Sequence, residues 1–119
     1  MRDNAFHGLY NDGWIGPSFI AQLDVPAEAT TLEYHLEHVP QDGHNGFEVE
    51  LVVDGAVLDR KQLDSAGPFM LTADATPLRG RKIGVEIRSA SYFVPRQVMD
   101  LDDNRELSVK LSEARILAT

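Results

Sequence analysis

Four histidines, a knot of carboxylates and a set of loop aromatics are the residues of this chain that could do chemistry. His7, His35, His38 and His44 would serve as zinc ligands only if two or three converged. His35 and His38 are three apart on a strand pattern, so their rings point to opposite faces and cannot chelate together. His35 belongs with Glu33 and Glu37 on a solvated face. His44 falls in a turn; it could touch a ligand there, but turn polarity alone explains it. Asp100, Asp102 and Asp103 could hold a hard cation through oxygen, which makes a structural calcium one expectation. Their order, Asp-x-Asp-Asp-Asn, lacks the glycine and downstream glutamate of an EF-hand loop. The other reading is that Asp102 or Asp103 caps backbone N–H groups or pairs with Arg105.

Nothing here marks a reacting centre. Adjacent carboxylates on an extended segment diverge, so Asp102 and Asp103 make a poor acid–base pair. No nucleophile elbow, Walker loop or dinucleotide fingerprint occurs, and Gly80-Arg81-Lys82-Ile83-Gly84 is too short to cradle phosphate. The chain is expected not to be an enzyme and to need no cofactor.

Aromatic rings are the stronger lead. Gly8-Leu9-Tyr10-Asn11-Asp12-Gly13-Trp14-Ile15-Gly16-Pro17 holds three of nine glycines and the only tryptophan. Glycine at this density specifies backbone shape, because glycine alone takes positive φ freely. Tyr10, Trp14, Tyr92 and Phe93 fall in loops or at strand ends, with Asn11, Asp12, Arg96, Asp102, Asp103 and Arg105 nearby in sequence. A ring face for the C–H side of a sugar, beside carboxylates and guanidinium for its hydroxyls, is carbohydrate-binding chemistry. Taken singly, Trp14 and Phe93 read equally as plugs at the end of a core.

Behind these residues stands an ordinary globular composition. The chain has 119 residues, 43% hydrophobic and 25% charged, enough for one domain over 1–119 with its own core. A net charge of −8 argues against nucleic acid as partner, since phosphate binding needs a concentrated basic surface. It also disfavours an anionic membrane, and no apolar run is long enough for membrane insertion. There is no cysteine, which rules out disulfides and thiolate metal sites. With no apolar leader at Met1–Ala5, the expected location is cytoplasmic.

Period-two alternation runs through the chain. Phe19 to Val25, Leu32 to Leu36, Phe47 to Val53 and Ile83 to Ile87 each alternate apolar with polar residues. Asp54-Gly55 is a hairpin turn leading to a return strand over about Ala56 to Leu63, and Phe69 to Ala73 is another strand. A last segment from about Leu107 to Leu117 reads as strand at its ends. Its alternation slips near Ser112 to Ala114, which predicts a bulge or short turn. Seven or eight short strands and no amphipathic helix predict an all-β protein, an antiparallel, jelly-roll-like β-sandwich. Ile20, Val39 and Val52 fall on otherwise polar faces and predict some exposed apolar surface.

The opening GLYNDGWIGP and the later SYFVPRQVMDLDDNRELSVKL resemble β-sandwich domains attached to bacterial glycosyltransferases and surface-polysaccharide biosynthesis proteins. The elements that carry the resemblance are Gly8, Tyr10, Gly13 and Trp14, then Phe93 and Pro95, then Asp102, Asp103, Arg105, Leu107 and Ser108. It implies a galactose-binding-like or carbohydrate-module-like sandwich that assists glycan synthesis without transferring sugar. The implied partner is a glycan or a glycosyltransferase. It also suggests a clasp in which Arg105 reaches the first loop or pairs with Asp12, while Asp102 or Asp103 accepts from that loop's N–H groups. Such bonds, if buried, are worth about 1.5–3 kcal/mol each. The ligand site would then lie beside the clasp, using Tyr10, Asp12, Trp14, Tyr92 and Arg96. The alternative is an interaction or structural sandwich with no sugar ligand, self-associating as a homodimer.

Overall fold

The computed structural model describes residues 5–41, 43–98 and 102–118. The described residues form eight strands: β1 (Ala5–Leu9), β2 (Ile15–Asp24), β3 (Ala29–His38), β4 (Phe47–Val53), β5 (Ala56–Leu63), β6 (Gly67–Asp74), β7 (Lys82–Ser89) and β8 (Lys110–Ala118). A 3₁₀ turn at Thr76–Leu78 and a one-turn helix, α1 (Pro95–Val98), interrupt the connections. The strands make two antiparallel sheets, ordered β1-β2-β7-β4-β5 and β6-β3-β8. From β2 onward the chain passes between sheets at every connection except the β4–β5 hairpin, and β7 inserts between β2 and β4. This is the jelly-roll-like sandwich that the alternation predicts.

Alternation dictates the core. Leu32, Tyr34 and Leu36 of β3 turn inward to meet Val49 and Leu51 of β4 and Ile83, Val85 and Ile87 of β7, all of them buried. Between β4 and β5, Asp54 (φ 48°) and Gly55 (φ 87°) both take positive φ, the geometry of a two-residue hairpin turn whose twist matches its strands. The predicted slip in the last strand is a bulge at Ser112, where Glu113 pairs with His35 but Leu111 pairs with Leu36. Among the described residues no helix is long and apolar enough to cross a membrane.

Two expectations need correction. The run Gly8–Pro17 is not one loop. Its ends belong to β1 and β2, and only Tyr10–Trp14 turns between them. Gly8, Gly16 and Pro17 fit within strands because His7 pairs with Ile20 while Leu9 pairs with Ile15, leaving Gly16–Phe19 opposite Gly8 alone. Pro17, which has no N–H to give, falls in that gap before the β7 ladder begins at Ser18. Val52 is buried rather than exposed, flanked on the central strand β4 by Val57 and Glu86. Ile20 is exposed, as the pattern implies.

Candidate functional site

Three connections meet at one end of the sandwich: the β1–β2 turn, the β3–β4 loop and the long segment from β7 to β8. Their shared floor is a chain of rings. Trp14 meets Phe93 edge-on at 5.3 Å, Phe93 lies 5.1 Å from His44, and His44 lies 4.4 Å from Phe47. His38 contacts both Phe47 and His44. Short backbone ladders seal the end: Phe93 exchanges hydrogen bonds with Leu107, Ser108 N donates to Ile15 O, and Leu111 N donates to Gly13 O.

His44 is no surface turn residue. It is fully buried, and its ring ties three segments together. The Nε2–H donates to the Ser108 carbonyl at 2.8 Å, so Nδ1 accepts from the Ser91 hydroxyl at 2.9 Å. Burial, reinforced by the neighbouring His38, holds its pKa below the usual 6.5. His38 is buried as well, its Nε2 against Asn45 Oδ1 at 2.8 Å and its Nδ1 without a partner among the described residues. Ser108 and Ser89, both buried, bond to each other through their hydroxyls. His35 does lie on the solvated face, 3.0 Å from Glu33. His7 sits on β1 opposite Ile20.

Above this floor lies the clasp. The Arg105 guanidinium donates to both carboxylate oxygens of Asp12, at 3.2 and 2.9 Å, across 93 residues of chain. It also donates to Asp103 through Nε and Nη2, the latter at 2.7 Å. Its central carbon lies 4.8 Å from the Tyr10 ring centroid, a cation–π arrangement. Asp103 in turn accepts from Arg105 N, and its own carbonyl accepts from Arg96 N at 2.8 Å. One hub therefore joins Tyr10, Asp12, Arg96, Asp103 and Arg105. Asp103 does not accept from the first loop's N–H groups as expected, because that loop satisfies itself through Tyr10 N to Trp14 O and Gly13 N to Tyr10 O.

The other predicted residues stand around this hub. Asp102 takes no part in the clasp; it is 96% exposed and among the described residues meets only Arg96 Nη1, loosely at 3.4 Å. Trp14 is half-buried over Phe93, with the Lys110 ammonium 5.6 Å from its centroid. Tyr92, 48% exposed, joins the hub through no hydrogen bond or ring contact among the described residues. Asp100 lies outside the described residues, and among those described no three His, Asp or Glu side chains converge as metal ligands.

The electrostatics are consistent with one permanent cation between two permanent anions. Hydrogen bonds from Arg105 hold the carboxyls of Asp12 and Asp103 below their usual 3.8. The guanidinium, held by those same two carboxylates, has its own pKa pushed up. The clasp's stability is thus fully present above about pH 4 and is lost as pH falls through the folded values of the two aspartates. Arg105 is 32% exposed and Asp12 49%, so solvent screens the clasp well below the worth of a buried pair. Arg105→Ala is expected to cost about 1 kcal/mol, a fall in Tm of roughly 3–6 °C by thermal denaturation. An unchanged Tm would show that the clasp does not hold the two segments together.

A second concavity lies at the other end of β7. It is a cleft of about 420 Å³ lined by Val53, Asp54, Ala56, Leu58, Asp74, Pro77, Leu78 and Arg81. Its charged rim is already engaged: Arg81 pairs with Asp54 at 3.0 Å, and Asp74 caps Thr76 N at 2.9 Å. Sequence reasoning passed over it because its walls come from a hairpin turn and a 3₁₀ turn, each unremarkable alone.

The chain is thus an antiparallel β-sandwich whose chemistry gathers on one rim. No family model matches it, and no curated protein and no solved structure matches it.

Proposed function

We propose that this chain is a non-catalytic glycan-recognition module serving an enzyme of glycan assembly, such as a glycosyltransferase, with its site on the rim beside the Arg105 clasp. The observation that carries this reading is the clasp itself. A single guanidinium, bonded to carboxylates from two distant segments, holds the half-buried Tyr10 ring in place. The same hub anchors Arg96 by its backbone and leaves the Arg96 and Asp102 side chains in water. A sugar needs a fixed ring for its C–H face and polar groups able to exchange water for hydroxyls. The loose, exposed Arg96–Asp102 pair costs little to open. Trp14, at the edge of the same turn, would extend the platform to a second sugar unit, and the exposed Tyr92, next in sequence to Phe93, offers a further ring.

Titrating oligosaccharides into isotope-labelled protein tests this reading. Shifts are expected in residues 10–14, 92–96 and 102–106, with Tyr10→Ala abolishing them while the remaining spectrum stays folded. At about −0.3 kcal/mol per heavy atom over about twelve atoms, a single sugar unit should bind with a Kd of roughly millimolar. Silence from every glycan tried, or shifts confined to the cleft at the other end of β7, would remove the rim as the site.

A further inference from the structure

We propose that the open edge of β8 pairs antiparallel with the same edge of a second copy, in a register centred on Ala114, joining two three-stranded sheets into one continuous sheet. β8 is bonded to β3 on one side. On its other side, among the described residues, the β1–β2 turn covers only the start, through Trp14 opposite Lys110 and the bond from Leu111 N to Gly13 O. From Ser112 to Ala118 every residue is exposed, including Ile116 at 36% and Leu117 at 37%. Ile116 pairs with the fully buried Leu32 and so stands on the inward face of the sheet. An apolar residue on that face with solvent beside it is what an edge strand shows when its neighbour is missing.

The other three edges carry features that discourage pairing. β6 has Pro68, β5 has Arg60 and Lys61, and β1 is five residues long with an irregular register. On β8 the charges select a register instead. Glu113 and Arg115 stand on the outward face, opposite His35 and Glu33 of β3, and bond to each other at 2.7 Å. A two-fold axis through Ala114 sets Glu113 of each copy directly across from Arg115 of the other, so the four charges alternate. It pairs residues 112–116 and stops short of the covered Leu111. Moving the axis one residue, to Arg115, would set Arg115 against itself, which directly opposed like charges disfavour. This surface is independent of the glycan rim.

The chain contains no cysteine, so one introduced thiol reads the register directly. Directly opposed residues have Cα atoms about 4.5–5.5 Å apart, within disulfide range. Ala114→Cys is therefore expected to give a covalent dimer on mild oxidation. Ile116→Cys is not, because in this register its two copies lie four residues apart along the strands, about 13 Å. In sedimentation, Glu113→Arg and Arg115→Glu should each weaken the wild-type dimer about tenfold, and the double swap should restore it. A wild-type chain that stays monomeric at its highest soluble concentration overturns the proposal. So does cross-linking at 116 as efficient as at 114, or a double swap no tighter than the single variants.

Discussion

A His44→Ala variant is expected to lose about 3–4 kcal/mol of stability, a fall in Tm of roughly 10–20 °C, the largest effect of any single polar residue at the sandwich end. Two losses combine. Removing a fully buried ring leaves a cavity between Phe47 and Phe93, and it takes the His44 donor from the carbonyl of the buried Ser108. His44→Phe keeps the ring volume and forfeits only the hydrogen bonds, so it should fall about half as far. The same pair of proteins isolates a pH effect. Because burial lowers the folded pKa of His44 below 6.5, both folded and unfolded chains are neutral there above that value, and its contribution is intact. Below it the unfolded chain takes the proton first. Stability then falls as pH drops from about 6.5 toward the folded pKa, by up to about 1.4 kcal/mol per pH unit. Chemical denaturation across this range should show the wild type losing stability that His44→Phe does not lose. Parallel curves would mean that His44 carries no such linkage. This window opens at higher pH than that of the clasp aspartates, which begins near pH 4.

Why this histidine escaped sequence reasoning is instructive. Alternation reports what a strand's own neighbours will cover, so Leu32, Tyr34 and Leu36 were readable as core, and the same parity continued one step would have turned His38 inward. His44 has no such signal. Its burial is made by Ser91 and Ser108, 47 and 64 residues away, closing over a turn that locally looks polar. The reverse holds for the clasp. An arginine and two aspartates flanking loops that must meet at one end of a sandwich are legible in outline, and Arg105 does reach Asp12. Which aspartate it chooses was not legible, because Asp102 and Asp103 are neighbours whose side chains diverge, one toward Arg96 and the other toward Arg105. The density of glycine and proline in Gly8–Pro17 misled for a related reason. Those residues punctuate, but a wide irregularity between two strands demands the same punctuation as a loop.

Gly8→Ala is expected to be the most damaging single-methyl change, and comparison with Gly13→Ala shows why. Both glycines have positive φ, 96° and 89°, so each substitution stores backbone strain of about 1–2 kcal/mol. At Gly13 the new methyl meets nothing closer than Leu111 O at 3.5 Å, and strain is the whole cost. At Gly8 it would lie 2.6 Å from Ser18 O and 3.2 Å from Phe19 Cα. Those are backbone atoms of the adjoining strand, which cannot rotate away as a side chain would. Either β1 and β2 separate or β1 leaves the sheet. The second route sets a ceiling, because β1 is an edge strand of five residues, so the total should be about 3 kcal/mol, a fall in Tm of roughly 10 °C or more. Amide exchange distinguishes the routes. If β1 detaches, protection is lost at Ala5–Leu9 and at the Tyr10–Trp14 turn it anchors, while β3, β4 and β7 keep theirs. The same detachment would loosen Asp12 from Arg105, so Arg105→Ala should cost less in the Gly8→Ala background than in the wild type. Equal melting temperatures for Gly8→Ala and Gly13→Ala would instead mean that the close approach of β1 to Ser18 is not what holds this end of the sheet.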